Sequence, residues 1–383
     1  MNEELERLKA AGMYRELRVS RPDGARVFAG GRARLNFASN DYLGISARAD
    51  MQAEFLESLS ENQDFLFGSG GSRLLSGNHP AYERAEAEIG ARFGGACLMF
   101  GSGYHANTGI LPALAGRGDL ILADRLAHAS IIDALRLSEA RWMRFAHNDA
   151  GHLRRLLSQN RAKFGRVFVA TESVFSMDGD RAPLGELADL CDEFGAMLYV
   201  DEAHGFGVFG ENGLGLCEAE GLLGRAAYVM CTLGKALAGE GAFVICSEDD
   251  KKLLVNRSRP LIFTTSMPPV NVMWTLFAFR KMLGMRAERA RLKSLWGSFR
   301  SACAAEGVEI LGDTQIAPAP VGSAVRAGEV SAELAREGVW APCVRPPTVP
   351  ANSSRIRFSL TNAMAGDDVA FCASALARAL KKL

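Results

Sequence analysis

Residues 196–205 read AMLYVDEAHG. The first six are almost continuously apolar up to Asp201, and polar chemistry begins directly after them. A strand with one solvated face alternates, whereas a strand covered on both faces reads as an unbroken apolar run. Five further runs share this texture: ACLMF (96–100), DLILA (119–123), RVFVAT (166–171), AYVMCT (227–232) and AFVIC (242–246). Helical stretches such as PLGELADLCDEFG (183–195) lie between them. The rhythm predicts βαβ units, and so an α/β fold with a mostly parallel sheet covered by helices. Past about residue 265 the texture changes to a long helical stretch over 269–305, weaker strand signals and an amphipathic helix at 366–382. The expected organisation is an N-terminal segment 1–45, a large domain 46–265 and a smaller C-terminal α+β domain 266–383. The N-terminal segment opens as an amphipathic helix with Leu5 and Leu8 on one side, and is expected to pack on the small domain or on a partner subunit.

The 383 residues carry 44 basic and 44 acidic side chains, a net charge of zero. Such a balance argues against nucleic-acid binding through the overall field. Apolar residues make up 48%, ordinary for a soluble globular chain. No signal peptide and no membrane-length apolar stretch is read, so a cytoplasmic protein is expected. The eight cysteines are scattered without a CxxC pair, which predicts buried, reduced thiols.

Lys235, in TLGKALAGEGAF, lies three residues past an apolar strand. A free lysine has a pKa of roughly 10.4 and is a poor nucleophile at neutral pH. Imine formation with a cofactor aldehyde removes that handicap. Taken alone, Lys235 reads first as a solvated loop lysine, and the functional reading needs partners. Asp201 and His204 end the strand 196–201 at its carboxyl end, where open α/β sheets bind ligands. A carboxylate there suits a protonated pyridine nitrogen, and an imidazole three residues on suits a phenolic oxygen. The bland alternative is a capping aspartate and a surface histidine. A metal reading lacks a nearby Cys or His pair, so no metal is expected. FGSGYHANTG (100–109) opens a helix, and its small residues let backbone N–H groups approach a phosphate. It also matches a loose GxGxxA dinucleotide fingerprint. Tyr104 could touch a ligand or belong to the core. His128, in ADRLAHAS, could stack on a flat ring and orient a substrate, or be a satisfied loop histidine; His147 and His152 read as structural.

SNDYLG (39–44), GSGGSRLLSGNHPAYERAE (68–86), DRLAHAS (124–130), TESVFSMDGD (171–180), VDEAHGFGVFG (200–210), TLGK (232–235), TSMPP (265–269) and RPPTVP (345–350) together resemble the α-oxoamine synthases. These are a branch of the fold-type I pyridoxal-phosphate transferases, and the matching stretches span nearly the whole chain. The resemblance implies pyridoxal 5'-phosphate carried on Lys235, with Asp201 at the pyridine nitrogen, His204 at the phenolic oxygen and His128 stacked on the ring. It implies further cofactor contacts from Gly103, Tyr104, Ser176 and Thr232. Arg15, Thr348 and His128 match substrate contacts; Asn40 and Arg345 are candidates for the amino-acid carboxylate, and Arg357 lies in another matching stretch, with Arg15 and Arg357 the candidates for the terminal carboxylate of a free-acid acyl donor. Arginine suits carboxylates because its planar fork offers two parallel hydrogen bonds.

Within the family, SNDYLG combined with RPPTVP points to decarboxylative condensation of L-alanine with a pimeloyl thioester, carried by CoA or acyl carrier protein, in biotin synthesis. A sister condensation using glycine, serine or alanine with another acyl thioester is the near rival. A dehydrogenase resting on GSGYHA alone is the remote one. A homodimer is expected, in part because the Gly/Ser-rich loop 68–77 needs a packing partner or ligand to be ordered. One residue departs from the pattern: Glu240 stands where relatives carry a small or hydroxylated side chain; an acid near the site could alter acyl-chain preference, but it is read first as an outward-facing loop residue.

Overall fold

The computed structural model describes residues 2–61 and 65–383. It divides into two compact units, one made of Met1–Arg48, Ser176–Arg181 and Ala287–Leu383, the other of Ala49–Phe175 and Ala182–Arg286.

The second unit is built on a seven-stranded sheet. Across it run Ala96–Phe100, Ala242–Cys246, Tyr228–Thr232, Met197–Asp201, Val167–Glu172, Leu120–Asp124 and Arg141–Phe145. The pairings from Tyr228–Thr232 to Arg141–Phe145 are all parallel. Ala242–Cys246 runs antiparallel to both its neighbours. The connection over 233–241 explains this inversion. It is far too short for the crossover that a parallel neighbour requires, but ample for an antiparallel one. Every residue of Ala96–Phe100, Leu120–Asp124, Val167–Glu172 and Ala242–Cys246 is buried, as the unbroken apolar runs predict. Arg141–Phe145 was not among the expected strands. It forms the sheet edge, and only Phe145 is buried.

Helices Gly103–Leu114 and Ala129–Leu137 pack together and contribute Ile110, Leu114, Ile131 and Leu135 to a core with Ile121, Phe168 and Tyr199. Each such side chain contributes about 1.5–3 kcal/mol on burial. The expected helix over 269–305 is two helices, Pro269–Leu283 and Arg286–Ala305. The first ends at Gly284, whose N–H bonds Lys281 O at 3.1 Å in the tighter i→i+3 pattern. Gly284 disfavours helix interior by about 1 kcal/mol relative to alanine, so the break falls there.

The first unit joins chain ends. Ser20–Asp23, Arg26–Ala29 and Arg32–Asn36 form an antiparallel sheet, extended by Val339–Trp340 running parallel to Arg32–Asn36. Ile316–Gly322, Ser354–Ser359 and Cys343–Val344 form a second antiparallel sheet. Phe37, Phe299 and Phe358 pack together in tilted and edge-on contacts, with ring centroids 5.2–5.8 Å apart.

All eight cysteines are free, and all but the half-buried Cys343 are buried. Burial pushes the thiols of Cys191, Cys246 and Cys303 up to about 12, so they stay protonated and inert. Among the described residues, no helix is long and apolar enough to cross a membrane.

Candidate active site

In the sheet unit, strand Met197–Asp201 delivers Asp201 to its carboxyl end, buried. Both carboxylate oxygens are used as acceptors: Oδ1 takes the Ala203 N–H at 2.9 Å and Oδ2 takes Asn107 Nδ2 at 2.8 Å. Buried His204 follows within the turn after the strand, and its Nε2 lies 3.0 Å from Lys235 Nζ. Lys235 sits in the tight 233–241 connection, which is pinned by Leu233 N–H to Gly241 O and Gly239 N–H to Leu233 O, each at 2.9 Å. Gly241 adopts φ 105° there, and a Cβ on it would lie 2.4 Å from Met267 Sδ. The lysine is thus carried on a braced turn. Glu240, beside it, is exposed and accepts from Asn271 Nδ2 at 3.0 Å, as an outward-facing loop residue would.

Helix Gly103–Leu114 begins with Ser102 as its N-cap, the hydroxyl accepting from His105 N–H at 3.1 Å. A Cβ on Gly103 would lie 2.5 Å from Thr232 Cγ2, so only glycine lets the helix N-terminus approach the end of strand Tyr228–Thr232 this closely. Unpaired N–H groups and the helix dipole there favour an anion. Tyr104 is exposed and donates its hydroxyl to Asp133. His128 is solvent-accessible and caps helix Ala129–Leu137, its Nδ1 accepting from Ser130 N–H at 3.2 Å. Desolvation holds the His128 imidazole below its usual pKa; the Asp201 charge opposes this and Lys235 reinforces it.

In the other unit, Arg357 is buried. Its Nε donates to Ser176 O at 2.6 Å and its Nη1 to Ser359 Oγ at 2.6 Å. Asn40 Oδ1 lies 3.2 Å from both Nη1 and Nη2, at the mouth of the guanidinium fork. The structure therefore joins Asn40 and Ser176 to Arg357. Arg345 instead meets Arg15 in a reciprocal clasp: Arg15 donates to Pro346 O at 3.3 Å, and Arg345 donates to Tyr14 O. Thr348 is exposed, its N–H bonded to Arg345 O at 3.1 Å. Arg15 and Arg345 line a cavity of about 710 Å³ with Tyr14, Trp340 and Cys343.

Two residues escaped the sequence reading. Asn107 lies one helical turn beyond Gly103, buried against Asp201; the helical period from Gly103 was the available signal. Glu172 ends strand Val167–Glu172 directly opposite Asp201 in the ladder. Burial, and next the Asp201 charge, push its carboxyl well above the ordinary range, while the His128 backbone N–H supports its ionised form.

The donor set fits pyridoxal phosphate. It combines an amine for the aldehyde, a buried carboxylate for the pyridinium, imidazoles for the phenolic oxygen and the ring face, and a helix N-terminus opened by Gly103 for the phosphate. Among the described residues, no group of three or more His, Cys, Asp or Glu is arranged to hold a metal ion.

Comparison with known proteins agrees. The family model of class I and II aminotransferases matches residues 32–371. The 8-amino-7-oxononanoate synthase of Chlorobaculum parvum is 45% identical over 97% of this chain and 96% of its own length. A serine palmitoyltransferase from S. paucimobilis, solved with bound PLP–myriocin, superposes with a TM-score of 0.90 at 28% identity, covering 100% of this chain and 96% of that one. The 8-amino-7-oxononanoate synthase of Francisella tularensis superposes with a TM-score of 0.77 at 27% identity, covering 91% of this chain and 98% of that one. Together with the motifs, these matches establish that the chain belongs to the class I and II aminotransferase family, in its α-oxoamine synthase branch.

Proposed function

We propose that this chain catalyses the pyridoxal-phosphate-dependent condensation of L-alanine with a pimeloyl thioester, releasing CO2 and free thiol and forming 8-amino-7-oxononanoate for biotin synthesis. The observation that carries the chemistry is the braced Lys235, 3.0 Å from His204 and on the same sheet edge as buried Asp201. The choice of substrates rests on the 45% identity to a curated 8-amino-7-oxononanoate synthase.

Pyridoxal phosphate, when bound, supplies an aldehyde for the amine and a ring that accepts the electron pair left at the alanine α-carbon. Lys235 would carry it, and Lys235 Nζ, once free, would take the α-proton. Asp201 would hold the ring nitrogen protonated, which would make the ring the better electron acceptor. His204 would bond the phenolic oxygen, and His128 would cover one face. Gly103 and the helix N-terminus behind it would receive the phosphate, with Thr232; Tyr104 and Ser176 would be further cofactor contacts.

Arg357 is the better candidate for the alanine carboxylate. The oxygen shared between its two Nη atoms is a neutral amide oxygen at 3.2 Å from each, a weaker partner than a carboxylate. Arg15 and Arg345, on the 710 Å³ cavity, are assigned with Thr348 to the acyl donor, delivered on CoA or acyl carrier protein. A homodimer is supported by Leu74 and Leu75, 50% and 85% exposed in the 68–77 loop. Function in the cytoplasm completes the reading.

The second reading is the serine-using sister reaction, favoured by the higher TM-score of the serine palmitoyltransferase, 0.90 against 0.77. The deciding experiment crosses L-alanine, glycine and L-serine with pimeloyl and palmitoyl thioesters and reads thiol release. Turnover confined to L-alanine with the pimeloyl donor is expected. Preference for L-serine with the palmitoyl donor would overturn the assignment.

A further inference from the structure

A buried chain of hydrogen bonds connects Asp201 to His128, and no step of the reaction above uses it. Tyr199 OH meets Asn107 Oδ1 at 2.5 Å. Asn107 Nδ2 meets Asp201 Oδ2 at 2.8 Å and Ser130 Oγ at 2.9 Å. Ser130 Oγ meets His128 Nδ1 at 2.7 Å. Tyr199, Asn107 and Ser130 are each at most 1% exposed, so water does not compete.

The direction of every bond follows from the two ends of the chain. A carboxylate accepts and does not donate, and Asp201 already accepts the Ala203 N–H through its other oxygen. The group of Asn107 facing it is therefore the NH2. This leaves Asn107 Oδ1 toward Tyr199, which must donate. The second amide hydrogen goes to Ser130 Oγ, which accepts. Ser130 Oγ keeps a second lone pair, so the amide bond alone does not orient it. His128 Nδ1 accepts the Ser130 backbone N–H at 3.2 Å, and the Ser130 hydroxyl therefore donates to the same nitrogen. Two donors thus converge on Nδ1, and a proton there would face both of them. Nδ1 is bare, and the ring's single proton lies on Nε2.

We propose that Asn107 and Ser130 are positioning residues that hold His128 as the neutral tautomer protonated on Nε2, so that this imidazole donates a hydrogen bond and cannot serve as a base through Nδ1. The consequence for catalysis rests on the reading above. A ring covering the cofactor would present a fixed N–H to the substrate, and proton abstraction would fall to Lys235 and not to His128. The lowered His128 pKa, set first by desolvation, agrees with a ring that stays uncharged.

The test is long-range proton–nitrogen NMR on the holoenzyme labelled with 15N-histidine. The chain has six histidines, and His128→Gln identifies the relevant one by its missing peaks. The expected pattern is an unprotonated Nδ1 and a protonated Nε2. Ser130→Ala removes the hydroxyl donor and should convert this to a mixture of tautomers, with kcat falling about tenfold, the value of one neutral hydrogen bond. Ser130→Thr restores the hydroxyl and should restore the pattern. A proton on Nδ1 in the wild type, or an unchanged pattern in Ser130→Ala, overturns the proposal. Should Ser130→Ala not fold, the wild-type spectrum with that of Ser130→Thr decides alone. A colourless preparation would count against the cofactor reading and leave the tautomer measurement intact, so the two failures are separable.

Discussion

Gly103→Ala adds one methyl group at a place where its position is known. That Cβ would lie 2.5 Å from Thr232 Cγ2. Carbon atoms in good contact are about 3.5–4.0 Å apart, so the helix N-terminus must retreat by roughly 1 Å from the strand end. Overpacking of this kind costs about 1–3 kcal/mol. It falls on the segment proposed to receive the phosphate, so the expected loss of pyridoxal-phosphate affinity is about tenfold to a hundredfold, each 1.4 kcal/mol being a factor of ten. The structure also specifies the rescue. Thr232→Ser deletes the clashing Cγ2 and keeps the hydroxyl. The next atoms facing the new methyl are then Thr232 Cβ at 3.7 Å and Met230 Cε at 4.0 Å, ordinary contacts. The assay titrates cofactor-free protein with pyridoxal phosphate and follows the visible absorption band. The double variant should bind within about twofold of Thr232→Ser alone, the signature of two coupled neighbours. A double variant no better than Gly103→Ala would show that the close approach of helix and strand does not set cofactor affinity.

Lys235→Ala should abolish thiol release while leaving thermal unfolding near that of the wild type; a tenth of normal turnover would remove Lys235 from its role. Arg357→Ala should raise KM for L-alanine, by an amount on the order of 2–5 kcal/mol for a desolvated charge pair. Arg15→Ala should instead weaken pimeloyl-thioester use far more than use of a neutral heptanoyl thioester. Interchanged effects would reverse the two assignments. Glu172 has a folded-state pKa raised by burial and by Asp201, so the folded chain binds more protons than the unfolded one above about pH 4.5. Its contribution to stability is complete below that value and declines as pH rises toward the folded pKa. Glu172→Gln should therefore flatten the fall in stability across that window in denaturant titrations; an unchanged slope would mean that Glu172 is ionised in the native state.

Much of the sheet was legible because burial on both faces leaves an apolar run whatever the topology. Leu120–Asp124 and Met197–Asp201 lie within a residue of their expected bounds. Arg141–Phe145 was not legible, since an edge strand need not be an unbroken apolar run and this one, RWMRF, is interrupted by two arginines and largely exposed. Ser20–Asp23 hid for the same reason, with every residue exposed. The inverted strand Ala242–Cys246 was readable in principle from the shortness of 233–241. Lys235, Asp201 and His204 announced themselves by standing at strand ends. Asn40 and Arg357 did not announce themselves as partners. They are 317 residues apart, and no local spacing encodes such a contact. Asn107 was passed over because an asparagine inside a helix resembles any polar helical residue until Asp201 and Tyr199 are seen to close on it.

The pairing of Arg32–Asn36 with Val339–Trp340 has a consequence for how the chain is made. The first strand leaves the ribosome some 300 residues before its partner exists. At about 5–20 residues per second, it waits roughly 15–60 s with that edge unsatisfied. The seven strands are complete at Cys246 and the unit that covers them at Arg286, so the sheet can close during synthesis. The terminal unit cannot finish before translation does. Chaperone capture of nascent chains should therefore favour the opening 36 residues, and a truncated messenger should yield a product with its sheet formed and its first strands still sticky.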